Sequence, residues 1–349
     1  MGAALSMKDR SLQAADAVAR GAAPGIQMAL VERGAVVAEH ACGVPERSTL
    51  ASLTPSHLFQ AASLAKCVTA WAVLGLAAEA KVDLDAPIER YVTRWRLPQS
   101  PFDPSRVTVR RVLSHTAGLS LADYPGFEPE RALPPLEASL AGDTNGAGDL
   151  RVVAEPGARF CYSGGGFVLL QLMVEELTGE RFADHAARAI FAPLGMTRST
   201  FDPSSPLLAA AATGHGADGR ALPFYRFDGA AAAGLFTTAG DLARFAAAHL
   251  AGSGGEPPGR GVLPPASIAA MTTPLAATAR ADGLWGEYGL GFEIDRRADG
   301  RTIVGHHGMN RGWRALLAIE PNRSRALVLL ANSDRALPAL EAVVSTWRA

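Results

Sequence analysis

Cysteine is scarce. Cys42, Cys67 and Cys161 are the only three in 349 residues, an odd number with no C-x-x-C spacing, which argues against a disulfide framework and a zinc knuckle. They read as free thiols. An excess of charge is missing too: 33 Lys plus Arg stand against 34 Asp plus Glu, a net charge of -1. Nothing in that balance draws the chain to nucleic acid or to an anionic membrane. Long apolar runs are absent, with no stretch of roughly 18 residues that could span a bilayer. The opening Met1 to Gly34 carries Lys8, Asp9, Arg10, Asp16 and Arg20 around no apolar core of signal-peptide type, so a cytoplasmic location is expected. H-E-x-x-H is lacking, and His306 and His307, adjacent on an expected strand, should point to opposite faces. Neither a metal nor a cofactor is expected.

What is present is a chain 48% hydrophobic with 36 Gly and 23 Pro, longer than one core usually serves, so two lobes are expected. Ile26 to Val31 and Ala35 to Glu39 predict a hairpin around Glu32-Arg33-Gly34. Strands resume late, over Tyr288 to Asp295, Arg301 to His306, Trp313 to Glu320 and Arg325 to Leu330, with turns short enough to make neighbours antiparallel. Asp334 is placed to cap a last helix running to about Trp347. Between the strand groups the periodicity is helical: Ser63 to Ala80, Thr108 to Leu113, Gly166 to Thr178, Phe182 to Phe191 and Ala239 to Leu250, with Gly179 as a C-cap. Ser120 to Pro156 and Gly252 to Pro265 read as long loops, the former a candidate wall of a site. The expected fold class is α/β (α+β): an antiparallel sheet lobe from residues 1-85 and 230-349, a mainly helical lobe from residues 86-229, and a site between them.

Three segments carry chemistry. Ser63-Leu64-Ala65-Lys66 sets a hydroxyl and an amine three residues apart, hence on one helix face, and a partly desolvated lysine can take a serine's proton. Alone this is weak, since Ser63 also fits a plain N-cap. Tyr162, in Phe160-Cys161-Tyr162-Ser163 at a loop-helix junction, offers a phenol whose ionised form a nearby ammonium would favour. Gly305-His306-His307-Gly308-Met309 lies where a strand is expected to end, its glycines permitting close backbone approach and its N–H groups suited to an oxyanion.

In this order, and with Leu113-Ser114-His115-Thr116-Ala117-Gly118-Leu119 between them, these motifs resemble the serine β-lactamase and penicillin-binding-protein superfamily, in its class C branch with esterases and D-amino-acid peptidases. The resemblance, from about Pro24 to Asn332, implies a β-lactamase/transpeptidase-like fold. It makes Ser63 the acylated nucleophile, Lys66 and Tyr162 its general-base pair, and the backbone N–H groups of Ser63 and Met309 the oxyanion donors. His306 and Gly308 become substrate-side residues, while His115 stays structural and His307 is expected to face away. Two departures from the family pattern stand out: Gly164 occupies the usual Asn of Y-x-N, and His306 the usual Lys. Both point away from β-lactams and toward ester or thioester substrates, and Gly164→Asn is expected to raise any trace β-lactam turnover. Arg311 or Arg314 is a candidate carboxylate clamp. The expected function is that of a serine hydrolase, a carboxylesterase-like enzyme acting on a small-molecule ester, thioester or amide. A transacylase using an amine or alcohol acceptor, and a non-catalytic binding or sensor protein, are the alternatives. Oligomeric state is not readable.

Overall fold

Arg33 and Gly34, with φ of 50° and 68°, give the two left-handed positions of a tight hairpin turn, and β1 (Gly25–Glu32) folds back on β2 (Ala35–Gly43) as expected. A computed structural model describes residues 16–17, 20–49, 51–278 and 285–348; Lys8, Asp9 and Arg10 lie outside the described residues. Beyond the hairpin come β3 (Phe59–Gln60), β4 (Phe236–Thr237), β5 (Ala276–Ala277), β6 (Glu287–Tyr288), β7 (Glu293–Arg296), β8 (Thr302–Asn310), β9 (Trp313–Glu320) and β10 (Arg325–Ala331). Eight of them form one antiparallel sheet in the order β2-β1-β10-β9-β8-β7-β6-β5, and β3 pairs with β4 apart from it. The first hairpin thus closes against the last strand, Ile26 opposite Ala331, which joins the two ends of the chain in one sheet.

Both sheet faces are covered, so β10 reads as a nearly continuous apolar run. On one face Met28, Leu30, Leu327 and Leu329 pack under the last helix, over Leu340, Val343, Val344 and Trp347. On the other face Ala29, Val31, Val328 and Leu330 join a larger core. Its centre is α1 (Ala65–Ala78), buried on almost every side from Ala65 to Leu76, as expected for a helix without a polar face. Around it lie α2 (Val109–Leu113), α3 (Leu136–Leu140), α4 (Gly164–Thr178), α5 (Phe182–Ala186), α6 (Ala230–Ala233), α7 (Ala239–Ala247) and α8 (Pro265–Met271), and α9 spans Leu337–Arg348. Gly179 closes α4 at φ 70°, as expected. Among the described residues no helix is long and apolar enough to cross a membrane, and the three cysteines are free.

Three expectations are corrected. The run Tyr288 to Asp295 is two short strands, because Gly291 turns at φ 77° with its Cα against Ala70 and the Lys66 carbonyl, where a Cβ would lie 2.6 Å from Ala70. β8 does not stop at His306 but continues to Asn310, so the third motif lies within a strand. Asp334 does not cap the last helix, which begins at Leu337; its carboxylate accepts from the Gly312 N–H at 2.9 Å and pairs with Arg314 at 2.8 Å.

Candidate active site

β3 delivers the chain into a 3-10 turn, Ala62–Leu64, that precedes α1. Ser63, where the helix was expected to start, therefore sits in the turn just ahead of it. Ala62 is held at φ 50°, a left-handed conformation disfavoured for a residue with a Cβ and typical of strain stored beside a reacting group. Lys66, in the first turn of α1 and 2% exposed, reaches Ser63 Oγ at 3.2 Å and donates to the Ala232 carbonyl at 2.7 Å. Burial pushes its amine down to about 8, with the Asp123 carboxylate pulling the other way. At neutral pH a useful fraction of Lys66 is thus unprotonated, and the 3.2 Å contact can reverse, the serine O–H donating into the amine lone pair.

Tyr162 donates its hydroxyl to Ser63 Oγ at 3.0 Å. The ionised phenol expected from the sequence is not favoured: burial raises Tyr162 well above the usual tyrosine range and outweighs Lys66, which lies over the ring 4.9 Å from its centroid. Tyr162 is therefore a neutral phenol that can relay a proton. His115 holds it there. The His115 carbonyl accepts from Cys161 N at 2.7 Å and its Nδ1 from Ser163 N at 3.1 Å, while its ring lies 4.2 Å from that of Tyr162. An Nδ1 that accepts leaves the proton on Nε2, and burial keeps His115 well below the usual histidine range. Ser163 then caps α4 by accepting from Gly166 N at 3.0 Å. At Gly164 a Cβ would lie 2.8 Å from the Ala122 carbonyl, so the space for the usual asparagine side chain is filled by backbone.

The third motif approaches along the sheet edge. β7 pairs with β8 only as far as Gly305, opposite Glu293; past that point β8 faces the nucleophile turn. Gly308 makes this approach, since a Cβ there would lie 2.3 Å from the Ala61 carbonyl. Met309, next along, is half-exposed beside Ser63. The expectations for the two histidines are reversed. His306 is fully buried, its Nε2 3.1 Å from the Tyr288 hydroxyl and its Nδ1 2.6 Å from the His307 carbonyl. A carbonyl only accepts, so Nδ1 carries the proton and Nε2 accepts from Tyr288; burial pushes His306 down to about 4. His307 instead lines a cavity with Ser63, and the two imidazoles do not diverge but stack at 5.5 Å. Donor atoms of Glu293, His306 and His307 lie within 4.8 Å of one another. His306 has no lone pair to spare for a metal there, as both its nitrogens are engaged.

Two cavities meet at Ser63, Asp123 and Met309. One, of about 310 Å³, is walled by Lys66, Tyr124, Gly164, Asn310, Arg311 and Arg314; the other, of about 270 Å³, by Phe160, Tyr162, Thr278, Glu293 and His307. Of the two candidate clamps, Arg314 is engaged by Asp334 at 2.8 Å, whereas Arg311 bonds the Tyr225 hydroxyl at 3.1 Å. Asn310, whose side chain donates to Gln60 at 2.9 Å and to the Ala233 carbonyl at 3.1 Å, ties β8 to β3, which leads into the nucleophile turn, and to the end of α6. Sequence reasoning missed Asp123, Glu293 and the Ala232 carbonyl. Glu293 carried the one available signal, a lone carboxylate in Leu290-Gly291-Phe292-Glu293-Ile294; a backbone carbonyl leaves none.

Comparison with known proteins gives the family and the fold. The family described as Beta-lactamase matches residues 13–343. Penicillin-binding protein 4 of Amycolatopsis lactamdurans is 28% identical over 321 residues, covering 88% of this chain and 81% of that protein. A D-aminopeptidase of Brucella anthropi is 26% identical over 302 residues, 83% of this chain and 52% of that protein, so the chain spans about half of that relative's length. The D-amino acid amidase of Ochrobactrum anthropi SV3 in complex with L-phenylalanine superposes with a TM-score of 0.79 over 98% of both chains at 23% identity, a likeness that shows the fold.

Proposed function

We propose, from the premise that the chain belongs to the beta-lactamase family, that Ser63 is acylated by a small-molecule carboxylic ester and that the acyl group is then released to water. The chain is a serine hydrolase of the β-lactamase-like superfamily, and the general reaction, cleavage of an ester or amide bond through an acyl-enzyme, is the family's. The ester preference and the residue roles are our reading. The observation that carries it is the convergence on Ser63 Oγ of Lys66 at 3.2 Å and Tyr162 at 3.0 Å, at the junction of two cavities.

Neutral Lys66 takes the proton of Ser63 as Oγ attacks the carbonyl carbon. The Tyr162 hydroxyl passes a proton to the leaving group and is replenished from Lys66. Backbone N–H groups of Ser63 and Met309, one from the turn and one from the sheet edge, stabilise the oxyanion. Two features favour esters over β-lactams: no side-chain amide at Gly164 to hold a substrate carbonyl, and a neutral, buried His306 where a fixed cation would meet a carboxylate. The D-aminopeptidase and D-amino acid amidase relatives keep amides of amino acids within the tested panel. A second reading, transfer of the acyl group to an amine or alcohol, is favoured by the paired cavities, one of which can seat an acceptor. Intact-protein mass spectrometry with a short p-nitrophenyl ester separates these readings. Hydrolysis gives a Ser63 adduct that decays equally fast with or without amines and alcohols, transfer gives one cleared only by an acceptor, and no adduct would sink both in favour of a binding protein.

A further inference from the structure

His307 is the surprise of the site, a titratable side chain brought to the nucleophile by a residue expected to face away. Glu293, 2% exposed at the start of β7, fixes it twice. One carboxylate oxygen, Oε2, lies 2.8 Å from His307 Nδ1 and 3.3 Å from its backbone N. A carboxylate accepts, so Nδ1 carries the proton and the lone pair of the neutral ring is on Nε2. This is the arrangement in which a carboxylate orients a histidine as a base. Ser63, Tyr162 and Met309 line the same 270 Å³ cavity as His307 and Glu293, whereas Lys66 lines the 310 Å³ one.

We infer that His307, oriented by Glu293, is the base that activates the nucleophile releasing the acyl group from Ser63. The inference rests on the acyl-enzyme reading above and assigns its second half to a different residue from its first. Lys66 is poorly placed for both halves: it is buried behind Ser63 and bonded to Ala232, and once Oγ is esterified its task is to return a proton to that oxygen. Water enters beside His307, and Nε2 removes its proton as the water oxygen bonds to the acyl carbon. Lys66, left neutral by acylation, takes up a proton from solvent in the acyl-enzyme, and when the bond from carbon to Ser63 Oγ breaks, the resulting ammonium, 3.2 Å away, gives that proton to Oγ. The acid leaves, the proton on His307 passes to solvent, and Lys66 is again the neutral base that acylation requires. An alcohol or amine in the same cavity would be activated in the same way.

The test uses the full-length enzyme and a p-nitrophenyl ester, following formation and decay of the Ser63 adduct by rapid-quench intact mass spectrometry. His307→Ala is expected to lower the ratio of decay rate to formation rate by about a hundredfold or more, the usual contribution of a general base, so that the adduct accumulates. Formation of the adduct itself reports that the variant is folded. Adding imidazole to His307→Ala is expected to speed decay of the isolated adduct several-fold, an effect a merely structural role does not produce. Glu293→Gln should slow decay in the same sense, with Glu293→Asp recovering part of it. Decay unchanged in His307→Ala, or formation and decay falling together without imidazole rescue, overturns the inference while leaving Ser63 as the nucleophile. A native enzyme that forms no adduct instead overturns the acyl-enzyme reading itself.

Discussion

The position of Lys66 sets the pH dependence of acylation. A lysine whose amine is pushed down to about 8 by burial is protonated below that pH and cannot accept the serine proton, so kcat/KM for a fast-acylating ester is expected to rise with pH through about 8 and level above it. A profile flat between pH 6 and 9 would remove Lys66 as the base. The same shift bears on stability with a definite sign: between about 8 and the ordinary lysine value near 10.5 the unfolded chain binds the proton and the folded one does not. Stability therefore rises with pH across that window, and the cost of burying the ammonium is fully present below it. Tyr162→Phe, which removes the phenolic relay but keeps the ring against His115, is expected to lower acylation by about a hundredfold, read by stopped-flow burst kinetics; a change under threefold would show that Lys66 serves the leaving group directly. At Gly164 the structure reverses an expectation. Gly164→Asn should give no gain in nitrocefin hydrolysis, because its Cβ would meet the Ala122 carbonyl at 2.8 Å, and a clear gain would mean that the Ala122 loop yields.

The site is an agreement between elements, a strained turn before α1, the capped start of α4 and the edge of β8, and the tightest tolerance is between the first and the last. Gly308→Ala puts a methyl group 2.3 Å from the Ala61 carbonyl, so the edge and the turn must part by about 1 Å, a displacement that elsewhere in enzymes lowers rates about a hundredfold. We expect that loss in acylation with an unchanged far-UV circular dichroism spectrum; native rates would show that Met309 need not approach Ser63. Elements governed by local chemistry were legible in the sequence. The β1–β2 hairpin follows from its turn residues, and α4 from its apolar periodicity and from Gly179 at its end, although it begins two residues before the expected Gly166, capped by Ser163. Ser63, Lys66 and Tyr162 were legible as motifs, and the structure brings them together. What was not legible depends on distant backbone. The break at Gly291 exists because α1 passes there, and Asp334 serves the turn before β9 because β10 ends beside it. His307 lines the cavity of Ser63 where alternation along an ideal strand would send it away, held by a glutamate 14 residues earlier.

At the scale of the whole chain, we propose that the division into a sheet lobe and a helical lobe is one of labour rather than of stability. The largest apolar cluster runs without interruption from Leu317 and Val328 in the sheet, through Leu64, Trp71 and Phe245, to Phe167 and Val174 of α4 and Val112 of α2. Trp71 lies at its middle, packed on Phe245 with ring centroids 5.0 Å apart and donating its indole N–H to His249 at 3.0 Å. Because α1 belongs equally to both sides, neither lobe can lose its packing while the other keeps it, and the chain is expected to unfold in a single calorimetric transition whose van't Hoff and calorimetric enthalpies agree. Trp71→Ala, which opens a cavity at the shared centre and leaves the His249 nitrogen without its donor, should cost about 3–5 kcal/mol and lower that one transition without splitting it. Two resolved transitions in the native chain, or a Trp71→Ala variant that destabilises only one of two, would make the lobes independent folding units. Such independence would conflict with the chemistry as well, since Ser63 and Lys66 belong to the sheet lobe while Tyr162, which donates to Ser63 Oγ at 3.0 Å and lies with its ring 4.9 Å from the Lys66 amine, belongs to the helical one. A seam that opened freely would expose the amine to water, return it toward its ordinary value, and remove the base on which acylation depends.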